Sequence, residues 1–268
     1  MKKTALIFLS AIFLSPLFAI ADLQVFPTRI TLSEKDKSAQ ISVRHKGTKS
    51  MRYRIEVVYY NMKPDGSMEQ IPEASKGANS AAEYFRFSPK QVTLEPNVEQ
   101  VVRILLRAPA DLKEGEYYAH LFFEGMDDAD DKPLPPSENP KGAQMVLKAR
   151  MAVAVPVVIR KGNPTSELTL ENLKVVKDPQ QKMNYSVDLN RKGSAYFYGD
   201  FVVTFTPTGS DKAETISQVN GVSSYLEKRT IRYPLNVSKL EKGTLTVEAK
   251  EPVANGGKTL ATTSVQIQ

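Results

Sequence analysis

The chain carries only two histidines and no cysteine among its 268 residues. Thiol nucleophiles, thiolate metal sites and disulfide scaffolds are therefore excluded at once. His45 and His120 fall on separate predicted strands, neither in a ligand spacing such as H-x-x-x-H nor in a recognisable triad order with a carboxylate. His120 thus reads as a strand residue rather than a general base. The run Asp127, Asp128, Asp130 and Asp131 has the charge for calcium, but it lacks the glycine and the terminal glutamate of an EF-hand loop and reads as a solvated acidic stretch. There is no G-x-S-x-G elbow, no phosphate-binding glycine loop and no S-x-x-K of the penicillin-binding type. No catalytic residue, metal or cofactor is expected, and the chain is not expected to be an enzyme.

What the sequence does offer is a surface for another polypeptide. From Ala143 to Arg160 it reads AQMVLKARMAVAVPVVIR. Met145, Leu147, Ala149, Met151 and Val153 share one face of an extended strand, and Gln144, Lys148 and Arg150 share the other. Such a strand is either an ordinary core strand of a sandwich or, if it lies at a sheet edge, a device for pairing with a second chain. It follows Gly125–Gly142, GMDDADDKPLPPSENPKG, a segment too acidic, too proline-rich and too poor in apolar side chains to offset its ordering entropy.

The elements that must position this strand are also strands. Short alternating runs separated by turn residues fill the chain, with no sustained apolar pattern at helical spacing. Leu23–Leu32, Gln40–His45, Arg52–Asn61, Tyr84–Phe87, Gln100–Arg107, Tyr117–Glu124 and Met145–Arg160 give about seven strands, the number and spacing of an immunoglobulin-like sandwich. Leu168–Val176, Tyr185–Asn190, Gly199–Pro207, Ile216–Val219, Lys228–Leu235, Gly243–Glu248 and Thr259–Ile267 form a second set. The punctuation at Lys161-Gly162-Asn163-Pro164 separates the two. The expected fold is all-β, with two immunoglobulin-like β-sandwich domains, 22–162 and 163–268, and a cleft between them across a very short linker.

Residues 1–21 have the parts of a cleaved secretory signal: Lys2 and Lys3, an apolar run from Thr4 to Phe18 broken by Pro16, and a small-residue site at Ala19-Ile20-Ala21. Export is expected. No later segment approaches the roughly 20 apolar residues that span a bilayer. Losing the two lysines lowers the formal charge from +6 to +4. That modest, dispersed charge, with no basic block carrying interleaved aromatics, gives no reason to expect a nucleic-acid partner.

The segment Phe87–Arg103, FSPKQVTLEPNVEQVVR, resembles the signature of PapD-like periplasmic pilus-assembly chaperones. Thr28-Arg29 near the start, the Glu116-Tyr117-Tyr118 strand, the flexible loop, the alternating strand and Arg160 at its end follow in that family's order. In the second half Tyr198-Gly199-Asp200, Gly221-Val222-Ser223-Ser224-Tyr225 and Gly243-Thr244-Leu245-Thr246-Val247 look like the C-terminal domain of the archaic, non-classical branch.

The resemblance implies a periplasmic chaperone that binds pilus subunits by donor-strand complementation and delivers them to an outer-membrane usher, with self-association when free. Complementation is a form of β-augmentation: an edge strand supplies backbone bonds, and its alternate side chains fill a groove. Here the donor face would be Met145, Leu147, Ala149, Met151 and Val153. The resemblance further implies two basic residues that hold the subunit's terminal carboxylate. Arg29 matches the first; the position of the second falls on Pro156, so Lys148 or Arg150 would have to substitute through a shifted or bulged strand. Glu116 and Arg160 match an ion pair that sets the angle between domains, and no motif places the third acid of that set. The alternatives are a structural or adhesive two-domain surface protein, or a pilus subunit. A sandwich enzyme or carbohydrate binder is weakened by the absence of tryptophan and of a paired-carboxylate motif.

Overall fold

A computed structural model describes residues 23–126 and 152–268. The signal segment, most of the acidic loop, and Met145, Leu147, Lys148, Ala149, Arg150 and Met151 lie outside the described residues.

Two β-sandwiches follow one another along the chain. In the first, one sheet has the order β1 (Leu23–Phe26), β3 (Ser38–His45), β8 (Glu99–Leu106), β6 (Phe85–Ser88). The facing sheet runs β2 (Ile30–Ser33), β10 (Ala152–Lys161), β9 (Gly115–Gly125), β4 (Met51–Met62), β5 (Met68–Ile71), with β7 (Gln91–Leu94) paired to the start of β4. The second sandwich packs β11 (Ser166–Lys177), β12 (Met183–Gly193) and β15 (Lys228–Pro234) against a sheet of β14 (Glu214–Ser224), β13 (Phe197–Pro207), β16 (Gly243–Lys250) and β17 (Thr259–Ile267). Every ladder is antiparallel except that of β2 with β10, which is parallel.

Side-chain alternation explains the layering. On β9, Ala119, Leu121 and Phe123 point into the first core, where they meet Val155, Val157 and Ile159 of β10 and Ile41, Val43, Val102 and Ile104 of the facing sheet. The intervening positions of both strands turn to the opposite side, and those from Glu116 to His120 and from Ala154 to Val158 face the second sandwich. That second sandwich has its own core around Tyr185, Phe197, Phe201, Leu189, Leu245 and Val247. β14 extends well beyond the expected Ile216–Val219, because Glu214–Ser224 pairs along most of β13 with bulges that absorb its irregular polar pattern.

Three departures from the expected strands matter. The single strand expected over Leu23–Leu32 is two. β1 pairs with β3 in one sheet and β2 with β10 in the other, and the crossing falls at Pro27, which has no N–H to give to a ladder. β5, MEQI, is almost entirely exposed and so lacks the apolar alternation that marks a strand. β7 is four residues long between Pro89 and Pro96 and merges with the turn signals around it.

Tyr185 sits at the centre of the second core, fully buried, and its hydroxyl has no hydrogen-bond partner. Burial pushes its phenol well above the usual tyrosine range. An unpaired buried hydroxyl costs stability, whereas an apolar group of the same shape does not. Tyr185→Phe should therefore raise the unfolding free energy by about 1 kcal/mol; urea unfolding at neutral pH checks this, and a loss of stability would mean that the hydroxyl is satisfied in solution.

Candidate functional site

The site lies where the two sandwiches meet, on the outward face of β9 and β10. Glu116, Tyr118 and His120 occupy alternate positions on β9, and Ala154, Pro156, Val158 and Arg160 do so on β10. The register sets Glu116 opposite Arg160 and His120 opposite Pro156.

At one end of this face is an ion pair. Glu116 has a side chain only 2% exposed; its Oε1 accepts from Nε and Nη2 of Arg160 at 2.8 and 2.7 Å. Its Oε2 accepts from the backbone N–H of Tyr196, in the second sandwich, at 2.6 Å. Arg160 is half-exposed, so the carboxylate is the desolvated partner and needs every donor it has. A second arginine, this one buried, shapes the same junction: Arg191 donates from Nη1 to the carbonyls of Gly193 and Ala195 at 2.6 and 2.9 Å, which fixes the turn that presents Tyr196.

Next along the face is an aromatic wall. Tyr118 stacks on Tyr225 of the second sandwich with ring centres 3.8 Å apart and planes within 5°, and Tyr196 meets both rings edge-on. Tyr59, Met62 and Val158 complete this buried cluster. Burial pushes the Tyr118 and Tyr196 phenols far above the ordinary range, so both remain neutral hydrogen-bonding groups. Above the wall, the β4–β5 turn reaches across to β15: the N–H of Thr230 donates to the carbonyl of Pro64 at 2.8 Å. The guanidinium of Arg229 lies on Gly66, where a Cβ would come within 2.1 Å of Nη2 and where φ is +85°. Only glycine allows that approach.

At the far end the face opens into a pocket of about 390 Å³. Tyr60, Met62 and Met68 of the first sandwich and Val222, Tyr225 and Tyr233 of the second supply apolar walls; His120, Ser223 and Arg229 supply polar ones. Arg29 stands beside this region, in the bend just before β2 rather than on the first strand, where it was expected. Its Nη1 donates to Ser223 Oγ at 3.3 Å, and its guanidinium covers the Tyr198 ring at 4.3 Å. Burial, reinforced by the positive charge of Arg29, lowers the His120 pKa to about 4, so the ring is neutral at pH 7.

The structure thus gathers three of the residues singled out in the sequence, Arg29, Glu116 and Arg160, along one interdomain face. Pro156, at the position where the resemblance implies a lysine, lines the pocket beside His120. Val153 is half-buried and rests against the first core. Lys148, Arg150, Met145, Leu147, Ala149 and Met151 fall outside the described residues. Sequence reasoning missed Arg191, Tyr196, Ser223 and Arg229 as cleft residues, and it set His120 aside. The signal for His120 was the alternation Glu116-Tyr118-His120, a polar and aromatic face opposite an apolar one on a strand that is buried on both sides. Among the described residues no group of three or more His, Cys, Asp or Glu side chains is placed to hold a metal ion, and no helix is long and apolar enough to cross a membrane.

No family model matches this sequence, and no curated protein matches it either. Solved structures similar to the chain include the CsuC–CsuE chaperone–tip adhesion subunit complex from archaic chaperone-usher Csu pili of Acinetobacter baumannii. It is 12% identical over 91% of this chain and 97% of that one, with a TM-score of 0.42. The CupB2 chaperone of Pseudomonas aeruginosa is 13% identical over 91% and 100%, with a TM-score of 0.43. The Salmonella enterica SafA pilin in complex with the SafB chaperone is 14% identical over 93% and 98%, with a TM-score of 0.42. At these scores the functional reading rests on the strands and side chains of this chain.

Two outcomes follow from the geometry. Glu116→Ala leaves the Tyr196 N–H and the Arg160 fork without their acceptor, and should destabilise the protein by about 2 to 3 kcal/mol. Glu116→Gln, which keeps an oxygen for Tyr196, should cost less; equal unfolding curves for wild type and Glu116→Ala would show that the bridge is not formed in solution. His120 gives a pH signature. Its folded pKa lies below the unfolded value near 6.5, so between pH 6.5 and 4 the unfolded chain binds the extra proton and stability falls on acidification. Wild type should lose about 2 to 3 kcal/mol more than His120→Gln between pH 7 and 4.5. Denaturant midpoints at the two pH values measure the difference, and parallel losses would contradict a buried neutral ring.

Proposed function

We propose that this chain is a non-enzymatic periplasmic chaperone of the pilus-assembly kind, which captures subunits by lending them an edge strand and passes them to an outer-membrane usher. The observation that carries the reading is the free edge of β10. On one side β10 is paired to β9 along its whole described length, from Ala152 to Lys161. On the other side β2 covers only Val157–Arg160, so no described strand pairs with Ala152–Pro156. The apolar alternation Met145, Leu147, Ala149, Met151, Val153 runs along the sequence directly into this edge. A backbone row with unused donors and acceptors invites a partner strand, and side chains at every second position give that pairing its selectivity.

The geometry also supports the direction and the end of the added strand. β2 occupies the edge from Val157 onward, so an incoming strand must stop there. A strand running parallel to β10, as β2 does, would stop with its carboxyl terminus beside Arg29. A planar, permanently charged guanidinium suits a terminal carboxylate. Glu116, Arg160 and the Tyr118–Tyr225 stack hold the second sandwich in place so that this terminus meets a cleft with two walls. In the free protein an apolar row with no partner strand would favour self-association.

A charge on the donor row cannot be desolvated in a partner's groove. Leu147→Asp and Met151→Asp should each abolish co-purification of pilus subunits from the periplasm while the circular dichroism spectrum stays that of the wild type. Arg29→Ala should weaken capture by about 2 to 5 kcal/mol, the cost of leaving a buried carboxylate without its partner. Normal subunit levels with both aspartate variants would overturn the edge-strand reading, and full capture by Arg29→Ala would remove the anchor.

A further inference from the structure

Asp200, in the middle of β13, is only 6% exposed, and among the described residues no lysine or arginine forms an ion pair with it. Its cross-strand neighbour Lys250 is paired with Glu248 instead. Asp200 Oδ1 accepts from the backbone N–H of Gly221, on the adjacent strand β14, at 2.9 Å. Burying a carboxylate for one neutral donor is costly, so what that bond holds is informative. It closes a bulge. Gly199 faces Val222 and Phe201 faces Val219, so Asp200 alone is set against two residues, Asn220 and Gly221. Gly221 has φ +71°, which a residue with a Cβ adopts only under strain. Before the bulge the inward positions of β14 are Ser217 and Val219; beyond it they are Val222 and Ser224. Inward and outward therefore exchange at Gly221.

The outward positions that follow are Ser223 and Tyr225, and both carry contacts to the first sandwich. Ser223 Oγ accepts from Arg29 Nη1 at 3.3 Å, and Tyr198, opposite Ser223 in the ladder, lies under the same guanidinium. Tyr225 stacks on Tyr118. A strand whose register moves by one residue turns all its side chains over. With the bulge closed, Ser223 and Tyr225 would point into the second core and Val222 out of it; Arg29 would lose its perch and Tyr118 its partner ring. We infer that Asp200 is the positioning residue of the cleft: by holding the Gly221 N–H it keeps the bulge in β14, and through the bulge it sets which face of that strand the first sandwich and an incoming chain meet. Asp200 itself does not line the pocket. The inference rests on the proposed function only for what the cleft receives.

The sequence has no cysteine, so a single introduced thiol in the intact mature chain reports the register by its reactivity. Val222→Cys and Ser223→Cys are each made in wild type, in Asp200→Asn and in Asp200→Ala. In wild type the thiol of Ser223→Cys should react with a maleimide about tenfold faster or more than that of Val222→Cys, which must wait for local opening. Asp200→Asn, whose amide oxygen still accepts from Gly221, should keep that order and should capture pilus subunits as wild type does. Asp200→Ala should reverse the order of labelling and lose subunits to the same extent as Arg29→Ala. A variant that is merely destabilised labels faster at both positions without a reversal, so an unreversed order in Asp200→Ala would overturn the clamp. Reversed labelling with full capture would overturn its part in positioning the cleft. Where Asp200→Ala does not fold, hydrogen exchange on wild type decides: the amide of Gly221, an exposed residue, should be protected by its bond, and free exchange there would remove the clamp. If labelling reverses while Leu147→Asp and Met151→Asp capture normally, the clamp stands and the edge-strand reading falls.

Discussion

The bridge from Glu116 to Arg160 and to the N–H of Tyr196 is the constraint on which the rest of the structure depends. A carboxylate this deeply buried cannot trade its donors for water, and its two oxygens are divided between one sandwich and the other. The short linker at Gly162–Pro164 would by itself leave relative motion as the default. The bridge removes that freedom where β9 begins and β10 ends. The Tyr118–Tyr225 stack and the Pro64–Thr230 backbone bond then close the junction further out. With those three contacts made, the alternate face of β9 and β10 becomes the floor of a cleft instead of a solvent surface.

That arrangement explains why cations gather in the cleft without being neutralised by the fold. Among the described residues Glu116 is spent on the bridge, and the polar groups left nearby are the neutral His120, the Ser223 hydroxyl and tyrosines that burial keeps protonated. Arg29 is held by a cation–π contact and a serine hydroxyl, Arg229 by a glycine approach and a backbone carbonyl. These contacts orient a guanidinium but do not discharge it. The fold thus pre-positions positive charge against an apolar wall, at the end of a sheet edge that is free only as far as β2 allows.

Much of this was legible in the sequence. The strand count of the second sandwich and the strand that carries Arg160 rest on period-two alternation and on short-range order along the chain, whereas the pairing of Glu116 with Arg160 came from the family resemblance. The site was legible only in part, because its second wall comes from far away. Arg29 and Ser223 are separated by 194 positions and no local spacing connects them. The split at Pro27 was hidden because a proline inside an apolar run reads as an edge position, and nothing nearby shows that the chain changes sheets. Arg229 sits on an ordinary polar strand position, and it becomes a cleft residue only because Gly66 lets the β4–β5 turn come close. His120 was read as a strand residue, which it is, but its place in the cleft was hidden for a different reason: a lone histidine without a motif resembles filler until the opposite face of its strand is also found to be buried.

The aromatic wall has a consequence for observing this protein. The chain has no tryptophan among its 11 tyrosines and 11 phenylalanines, so its ultraviolet spectrum belongs to tyrosine. Tyr59, Tyr118, Tyr196 and Tyr225 are clustered within the junction between the sandwiches, two of them face to face. Coupled, immobile rings in an asymmetric setting dominate near-ultraviolet circular dichroism, while exposed, rotating ones contribute little. The molecule therefore carries an optical gauge at its own hinge, and the angle between its halves can be read in solution without attaching a label.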